Sequence, residues 1–414
     1  MSYPFLMTEL DEAADVDAPV VAHAPLKVGA RGGAESRTER EAREALTLAD
    51  GATRASGAGK RSVVEAPDPY RTCFERDRDR IKHSRAFRRL AGKCQVFVAP
   101  ENDHLRTRLT HAIEVAQVAV SIARPVGLNV ALTEAAAIGH DCGHGPAGHA
   151  SEGALSPFVD GGYHHAVYGA DVVLAPLNLC VETLDAIRNH SWNRPAPMTP
   201  EGEVVAWADR IAYVCHDFED AVAARIVSAA DLPRDVRDVL GTERRIQLGR
   251  LVTAMIETIA SSGTVALRAA EADALSAFRA FNYERIYLRD ESVAQAESAA
   301  AVIAELCEYF IEHPERMRHA TEGVESVPAG TYGADSDAAP AGRGSIADGT
   351  GDASVGSTSG LHRSVPASTS SIEPRETDPV ADAVRYVSGM TDRYLLRCGV
   401  DELGWDPARL PLGV

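Results

Sequence analysis

The run Gly139-His-Asp-Cys-Gly-His-Gly-Pro-Ala-Gly-His149 gathers His140, Asp141, His144 and His149 within eleven residues. Imidazole and carboxylate side chains bind metal ions and move protons. An isolated His-Asp pair is equally well explained by a structural hydrogen bond, so a metal reading needs donors from elsewhere in the chain. Leu132 to Ile138 reads as a helix that delivers His140 and Asp141 into a core. Gly143, Gly145, Pro146 and Gly148 then break regular structure, which presents His144 and His149 from a bend.

Two further donors stand on helical patterns. His111 lies in the first turn of a segment from Thr110 to Arg124, whose apolar positions are Ile113, Ala116, Ala119, Val120 and Ala123. Asp209 lies on a long pattern from Glu203 to Ile226, with Val204, Ile211, Val214, Phe218 and Val222 facing inward. On its other side Asp209, Tyr213 and Asp217 recur every four residues as a polar stripe. Consecutive helical residues diverge by about 100°, so His140 and Asp141 share an ion only if it is cupped between helices. A helical bundle provides such a core. Two imidazoles and two carboxylates leave coordination positions open for water and substrate. Mn, Fe, Co, Ni, Zn and Mg all suit that set, and ligand type does not choose among them.

The rest of the chain supplies the frame. Residues 1–60 are poor in large apolar groups and read as a disordered N-terminal segment, with a transient charged helix over Glu35 to Asp50. Residues 61–315 form the main domain. Arg71 to Arg89 is strongly basic, which fits either a solvated helix face or a phosphate-bearing ligand. Cys94 to Val98 suggests a short strand or extended turn. Gly161 to Leu174 and Val181 to Asn189 continue the helical pattern, a Pro-rich loop covers Ser191 to Gly202, and further helices fall at 247–262, 265–281 and 291–313. Residues 316–377 lose periodicity and read as a low-complexity linker or insertion. Residues 378–414 regain a helical pattern that packs on the main domain. The fold class is all-α.

Lys+Arg 42 against Asp+Glu 60 leaves a net charge of −18, which disfavours broad nucleic-acid binding but leaves room for a local basic pocket. The seven scattered cysteines contain no C-x-x-C, as expected of reduced thiols in the cytoplasm. The N-terminus lacks the order of a signal peptide, and no apolar run is long enough to span a bilayer.

The order H…HD…D resembles the HD superfamily of metal-dependent phosphohydrolases. Longer runs resemble its deoxyguanosine triphosphate triphosphohydrolase family. They are Ser84-Arg-Ala-Phe-Arg-Arg-Leu, Gln95-Val-Phe, Asn102-Asp-His, Arg106-Thr-Arg-Leu-Thr-His111, the 139–149 run, Ala208-Asp-Arg-Ile-Ala-Tyr213 and Gly389-Met-Thr-Asp-Arg-Tyr394. The resemblance covers residues 67–315 and 378–398. It implies an HD-type helical bundle with additional C-terminal helices, a divalent metal (Mg, Mn, Fe or Co) and a homo-oligomer. It also implies hydrolysis of a deoxynucleoside triphosphate at the α-phosphorus, giving deoxynucleoside and triphosphate. By the same resemblance His111, His140, Asp141 and Asp209 are metal ligands, and His149 with Glu152 is the water-activating pair, joined by His144. Arg108, His165 and Arg210 face phosphates, and Tyr213 and Asp217 face the sugar. His164-His165-Ala166, Cys94, Cys142 and Ala147 depart from common family residues; they bear on base preference and rate and leave the reaction class intact. The competing readings are an HD phosphohydrolase acting on another nucleotide and a non-catalytic nucleotide-sensing regulator.

Overall fold

The computed structural model describes residues 32–57, 59–98, 102–317 and 378–411, with isolated positions 22, 23 and 29. Among them every extended regular element is helical, and the sole β pairing is a bridge between Cys94 and Thr107. The strand expected over Cys94 to Val98 is therefore reduced to that bridge.

In chain order the helices are α1 (Arg37–Thr47), α2 (Cys73–His83), α3 (Arg85–Arg89), α4 (Arg108–Ala123), α5 (Val130–Gly139), α6 (Ala150–Leu155), α7 (His165–Tyr168) and α8 (Val181–Arg188). They continue as α9 (Pro200–Ala223), α10 (Arg234–Val239), α11 (Arg244–Ser262), α12 (Ala269–Asn282), α13 (Asp290–Glu312), α14 (Pro379–Ser388) and α15 (Asp392–Leu403). The centre is α5, which packs on α4, α2, α9 and α8. Its sequence is apolar on nearly every side, and Leu132, Ala135, Ala136, Ala137 and Ile138 are all buried, as a helix surrounded by others requires. Alanine side chains keep the neighbouring axes close. The ends are set locally: Asn129 accepts a hydrogen bond from Leu132 N at the start of α5, Thr107 forms a capping box on α4, and Thr199 caps α9 ahead of Pro200.

Two packing expectations are corrected. Ile113 is 52% exposed and Val222 37% exposed. The inward face of α4 is instead Ala112, Val115, Ala116, Val118, Ala119, Ile122 and Ala123, because α4 meets α5, α9 and α11 and so buries a broader arc than one stripe. Val222 falls in the last turn of α9, at the rim.

The N-terminal expectation for residues 1–60 is corrected over its described part, while residues 1–21, 24–28, 30, 31 and 58 lie outside the described residues. Residues 36–57 are built into the main body rather than disordered. The physical reason is that α1 buries no residue at all and the hold is mostly polar, with only Ala52 and Ala55 buried in apolar clusters. Arg37 N donates to Pro69 O (2.7 Å) and Ala49 N to Gly127 O (2.8 Å). Thr53 donates from N and Oγ1 to Glu201 (3.0 and 2.8 Å), and Ala55 N donates to Glu44 (2.7 Å). A search for apolar periodicity passes over such a segment. The basic run of α2 is likewise a structural lattice: Arg71 pairs with Asp68 and Asp79, Arg76 and Arg80 with Glu65, and Arg78 and Lys82 with Glu134. These pairs support the structural reading for Arg71, Arg76, Arg78, Arg80 and Lys82, and they do not include Arg85, Arg88 and Arg89 of α3.

A second apolar cluster joins α13, α14 and α15 through Val302, Ile303, Leu306, Phe310, Val384, Val387 and Leu395. The C-terminal segment thus folds as two helices against α13. The low-complexity stretch expected at 316–377 lies outside the described residues from 318 onward.

Candidate metal centre

Three helices and the bend beyond one of them deliver the donors. His111 comes from the first turn of α4, His140 and Asp141 follow the end of α5, Asp209 sits in the middle of α9, and His144 hangs from the bend beyond α5. His111 Nε2 lies 3.0 Å from Asp209 Oδ1, and His140 Nε2 lies 3.4 Å from Asp141 Oδ1 and 3.6 Å from Asp209 Oδ1. His144 Nε2 is 3.2 Å from Asp141 Oδ1, while Arg108 Nη1 donates to Asp141 Oδ2 at 2.8 Å. The glycines of the bend are required by close approach. A Cβ on Gly143 would stand 2.0 Å from His165 O, and one on Gly148 would stand 2.6 Å from Arg108 Nη2, at a φ of +59°.

The donor chemistry fits a divalent cation. His140 Nδ1 donates to Ala137 O at 2.6 Å, which fixes the tautomer and leaves Nε2 with its lone pair. That Nε2 is buried without a hydrogen-bond partner, as are His111 Nδ1 and His144 Nδ1. Unpartnered buried polar atoms are costly unless something else binds there. Ligand atoms of His111, His140 and Asp141 lie within 4.8 Å of one another, as do those of His140, His190 and Asp209. Burial alone would raise Asp141, yet His140, Arg108 and His144 hold it well below the usual carboxylate range. Burial also opposes ionisation of Asp209, and His111 and His140 overcome it. The centre therefore keeps two ionised carboxylates among imidazole nitrogens.

Beside it lies a second group. His149, the residue before α6, has a side chain 74% exposed, and its Nδ1 is 3.8 Å from Glu152 Oε1. A direct hydrogen bond within the His149–Glu152 pair that the resemblance implies is not formed at that distance. Glu152 instead receives a hydrogen bond from His165 Nδ1, since α7 brings the buried His165 against it. The His165 ring stacks on His144 at 3.7 Å between centroids. Burial would raise Glu152, and the nearby His149 ring together with the bond from His165 pushes it far below the ordinary value.

Arg210, Tyr213 and Asp217 follow Asp209 along α9. The Arg210 guanidinium lies 3.3 Å over the Trp192 ring. Tyr213 OH accepts from Arg279 Nε at 2.9 Å, and Tyr287 OH donates to Asp217 Oδ2 at 2.6 Å. Burial pushes Asp217 up to about 8.

Sequence reasoning missed several participants. His190, just past α8, points Nδ1 at Ile187 O (2.7 Å) and sets Nε2 3.2 Å from His165 Nε2. The available signal was a histidine directly after an amphipathic helix, the same placement as His140. Arg279 and Tyr287 carry no local motif that would tie them to α9. Lys93, buried, donates to His144 O and Ser388 O, and Asp392 accepts from Cys94 N and Ala147 N, both at 2.8 Å. These tie the bend to the C-terminal helices.

Comparison with known proteins agrees with this geometry. Residues 108–214 match the HD domain model, and residues 265–326 match the phosphohydrolase-associated domain. A deoxyguanosinetriphosphate triphosphohydrolase-like protein of Caldanaerobacter subterraneus subsp. tengcongensis is 41% identical over 62% of this chain and 77% of its own length. Similarly described proteins of Clostridium perfringens (strain 13) and Desulfatibacillum aliphaticivorans are 39% and 38% identical, over 62% and 69% of this chain and 79% and 86% of theirs. With the H…HD…D donors assembled in one helical core, the chain belongs to the deoxyguanosinetriphosphate triphosphohydrolase-like family of HD-domain phosphohydrolases.

Proposed function

We propose that the protein is a metal-dependent deoxynucleoside triphosphate triphosphohydrolase in which water attacks the α-phosphorus, releasing deoxynucleoside and triphosphate. The observation that carries this is the placement of the His111–His140–Asp141–Asp209 donors directly beside His149, Glu152 and His165. A divalent ion held by those four donors supplies Lewis acidity toward a phosphoryl oxygen or water. His149 is the solvent-facing base. Its imidazole takes the proton of the attacking water, and the ionised Glu152 stabilises the positive ring that results. Glu152 is itself oriented by His165. Arg108, fixed by Asp141 and packed against Gly148, places a permanent positive charge at the bend, where a guanidinium fork suits phosphate oxygens. His144, whose ring is sandwiched toward His165, lines the same wall.

On α9, Tyr213 is held in place by Arg279 and stands where an aromatic ring excludes a ribose 2′-hydroxyl. Asp217 Oδ1 has no hydrogen-bond partner and is offered to the sugar 3′-hydroxyl, while Oδ2 is occupied by Tyr287. Arg210, set over Trp192, borders this region. The cytoplasmic assignment is supported by the seven cysteines, which are all free thiols.

The test is product identity. The full chain is incubated with each deoxynucleoside triphosphate and Mn, Mg, Fe or Co in ¹⁸O-water. Deoxynucleoside and triphosphate should appear, with the label in triphosphate. Orthophosphate or pyrophosphate as the product, or label in the nucleoside, overturns the reading.

A further inference from the structure

Cys180 occupies the N-cap of α8, a position that oxygen-bearing side chains usually fill, yet its thiol makes no capping bond. It lies instead against Cys73, the first residue of α2, in a small apolar cluster with Ala55, Phe74 and Leu132. Gly59 shows how closely the two sulfurs approach. A Cβ built on it would stand 2.7 Å from Cys73 Sγ and 3.4 Å from Cys180 Sγ, so both sulfurs press on the same point of the chain. The Cys73 thiol, ahead of burial, pushes the Cys180 thiol well above its ordinary value, as a close neighbour does. Polar bonds hold the two helix starts together. Asp77, one turn along α2 from Cys73, accepts from Cys180 N (2.8 Å) and Thr183 Oγ1 (2.7 Å). Arg61 pairs with Asp77 at 2.6 Å and donates to Cys73 O at 2.9 Å. The two cysteines differ in access. Cys180 is fully buried, while Cys73 is half-buried and lines an open pocket of about 270 Å³ with Arg37, Arg71 and Arg76. Partial exposure at a helix start beside guanidinium groups is a setting in which thiols react. The remaining five cysteines are all buried.

We propose that Cys73 and Cys180 are a peroxide-responsive thiol pair that closes into a reversible disulfide between the starts of α2 and α8. A small hydroperoxide reaches Cys73 through the pocket. The Cys73 sulfur attacks the peroxide and the O–O bond breaks. Cys73 becomes a sulfenic acid, and its thiol proton goes to the departing oxygen, which leaves as water or an alcohol. The Cys180 sulfur then attacks Cys73 Sγ. The S–O bond breaks, and the hydroxyl group leaves with the Cys180 proton as water. Two thiols have lost two electrons and one peroxide has gained them. A dithiol reverses the bond by exchange at the more accessible Cys73 sulfur. Burial makes Cys180 the resolving partner, because peroxide meets Cys73 first. In a reducing compartment such a bond is transient and reports oxidant. Its effect follows from its place. α2 and α8 both pack on α5, so a bond between their starts closes a long loop and fastens the frame behind the metal centre. The proposal rests on side-chain geometry and stands apart from the identity of the reaction.

The experiment counts thiols. Reduced full-length protein is treated with stoichiometric hydrogen peroxide, its free thiols are titrated after unfolding, and its peptides are mapped without reduction. Two of the seven thiols should be lost, one peptide pair should join Cys73 to Cys180, and dithiothreitol should restore both. The oxidised chain should unfold at a higher temperature than the reduced one. Cys180→Ser should stop at a Cys73 sulfenic acid that dimedone traps, and Cys73→Ser should keep Cys180 reduced; circular dichroism reports that each has folded. Retention of all seven thiols by the wild-type chain overturns the proposal. So does a disulfide that joins other cysteines or two chains, or a folded Cys73→Ser protein that loses thiols as fast as the wild type. Should either variant fail to fold, the peptide map of the wild-type chain alone decides.

Discussion

Asp392 is the most exacting test of how this fold holds its chemistry, because it lies far along the chain from the 139–149 bend. Its two carboxylate oxygens divide their work: Oδ2 accepts from Cys94 N and Oδ1 from Ala147 N, each at 2.8 Å. Asp392 is buried, as are both partner residues. Ala147 needs the help, since its φ of 57° is a left-handed conformation that a residue with a side chain rarely adopts. Replacing Asp392 by alanine strands two buried amide hydrogens. Each costs about 1–3 kcal/mol, so the variant should lose about 2–6 kcal/mol of stability unless water enters. Because the loss falls on Ala147 and Cys94, the bend from His144 to His149 should loosen first, and turnover should drop more than tenfold. Thermal unfolding gives the first number, hydrogen exchange at the Ala147 amide locates it, and steady-state hydrolysis gives the third. Asp392→Asn should fall in between, because its amide group can accept only one of the two bonds. An Asp392→Ala protein with wild-type stability, a protected Ala147 amide and unchanged turnover would refute the idea that the C-terminal helices complete the site.

Three further outcomes follow from the same geometry. Asp209→Ala and His140→Ala should each lose bound metal and hydrolysis together, since each removes a donor that no neighbour replaces; elemental analysis beside product assay checks this. His149→Ala should keep its metal but lose about 10²–10⁴ in turnover, the usual contribution of a positioned base, and loss of metal there would show that the ring is a ligand. Asp217 has a folded pKa raised by burial to about 8, above its ordinary 3.8. A raised carboxyl contributes stability that is fully present below the unfolded value and lost as pH climbs to the folded one. Between about pH 4 and 8 it should therefore cost about 1.4 kcal/mol per pH unit, and Asp217→Asn should remove that slope. Urea unfolding across this range compares the two, and parallel curves would contradict the assignment.

The sequence made the helical core readable because its signals are local and periodic. α4, α5 and α9 announce themselves by apolar spacing and by caps at Thr107, Asn129 and Thr199. The four candidate donors have defined places for the same reason: His111 and Asp209 sit on α4 and α9, and His140 and Asp141 directly follow α5. What escaped was held by polar contacts across long sequence distances. Residues 36–57 dock through Glu44 and Glu201, and no apolar face marks them. The resemblance pairs Glu152 with His149, but α7 brings His165 closer, and neither motif nor position along the chain carries information about that competitor. Arg279 and Tyr287 reach Tyr213 and Asp217 only because α12 and the turn that follows it fold back on α9.

One local device, used twice, links fold to chemistry. Just past the ends of α5 and α8 stands a buried histidine whose Nδ1 donates to the carbonyl three residues back, Ala137 for His140 and Ile187 for His190. Carbonyls in the last turn of a helix have no intrahelical partner, so each helix end uses the ring to satisfy an orphan acceptor. That bond fixes the tautomer and leaves the Nε2 lone pair free at a predictable point beyond the helix. The negative end of the helix dipole points the same way and favours a cation there by about 0.3–1 kcal/mol or more when partly buried. The helix terminus thus does the orienting that a separate carboxylate does for many metal-binding histidines. A histidine placed just past a buried helix arrives with its tautomer fixed by that helix's own end. His140 and His190 are 50 residues apart in the chain, yet their rings stand 4.9 Å apart because the two helices that precede them end at the same place.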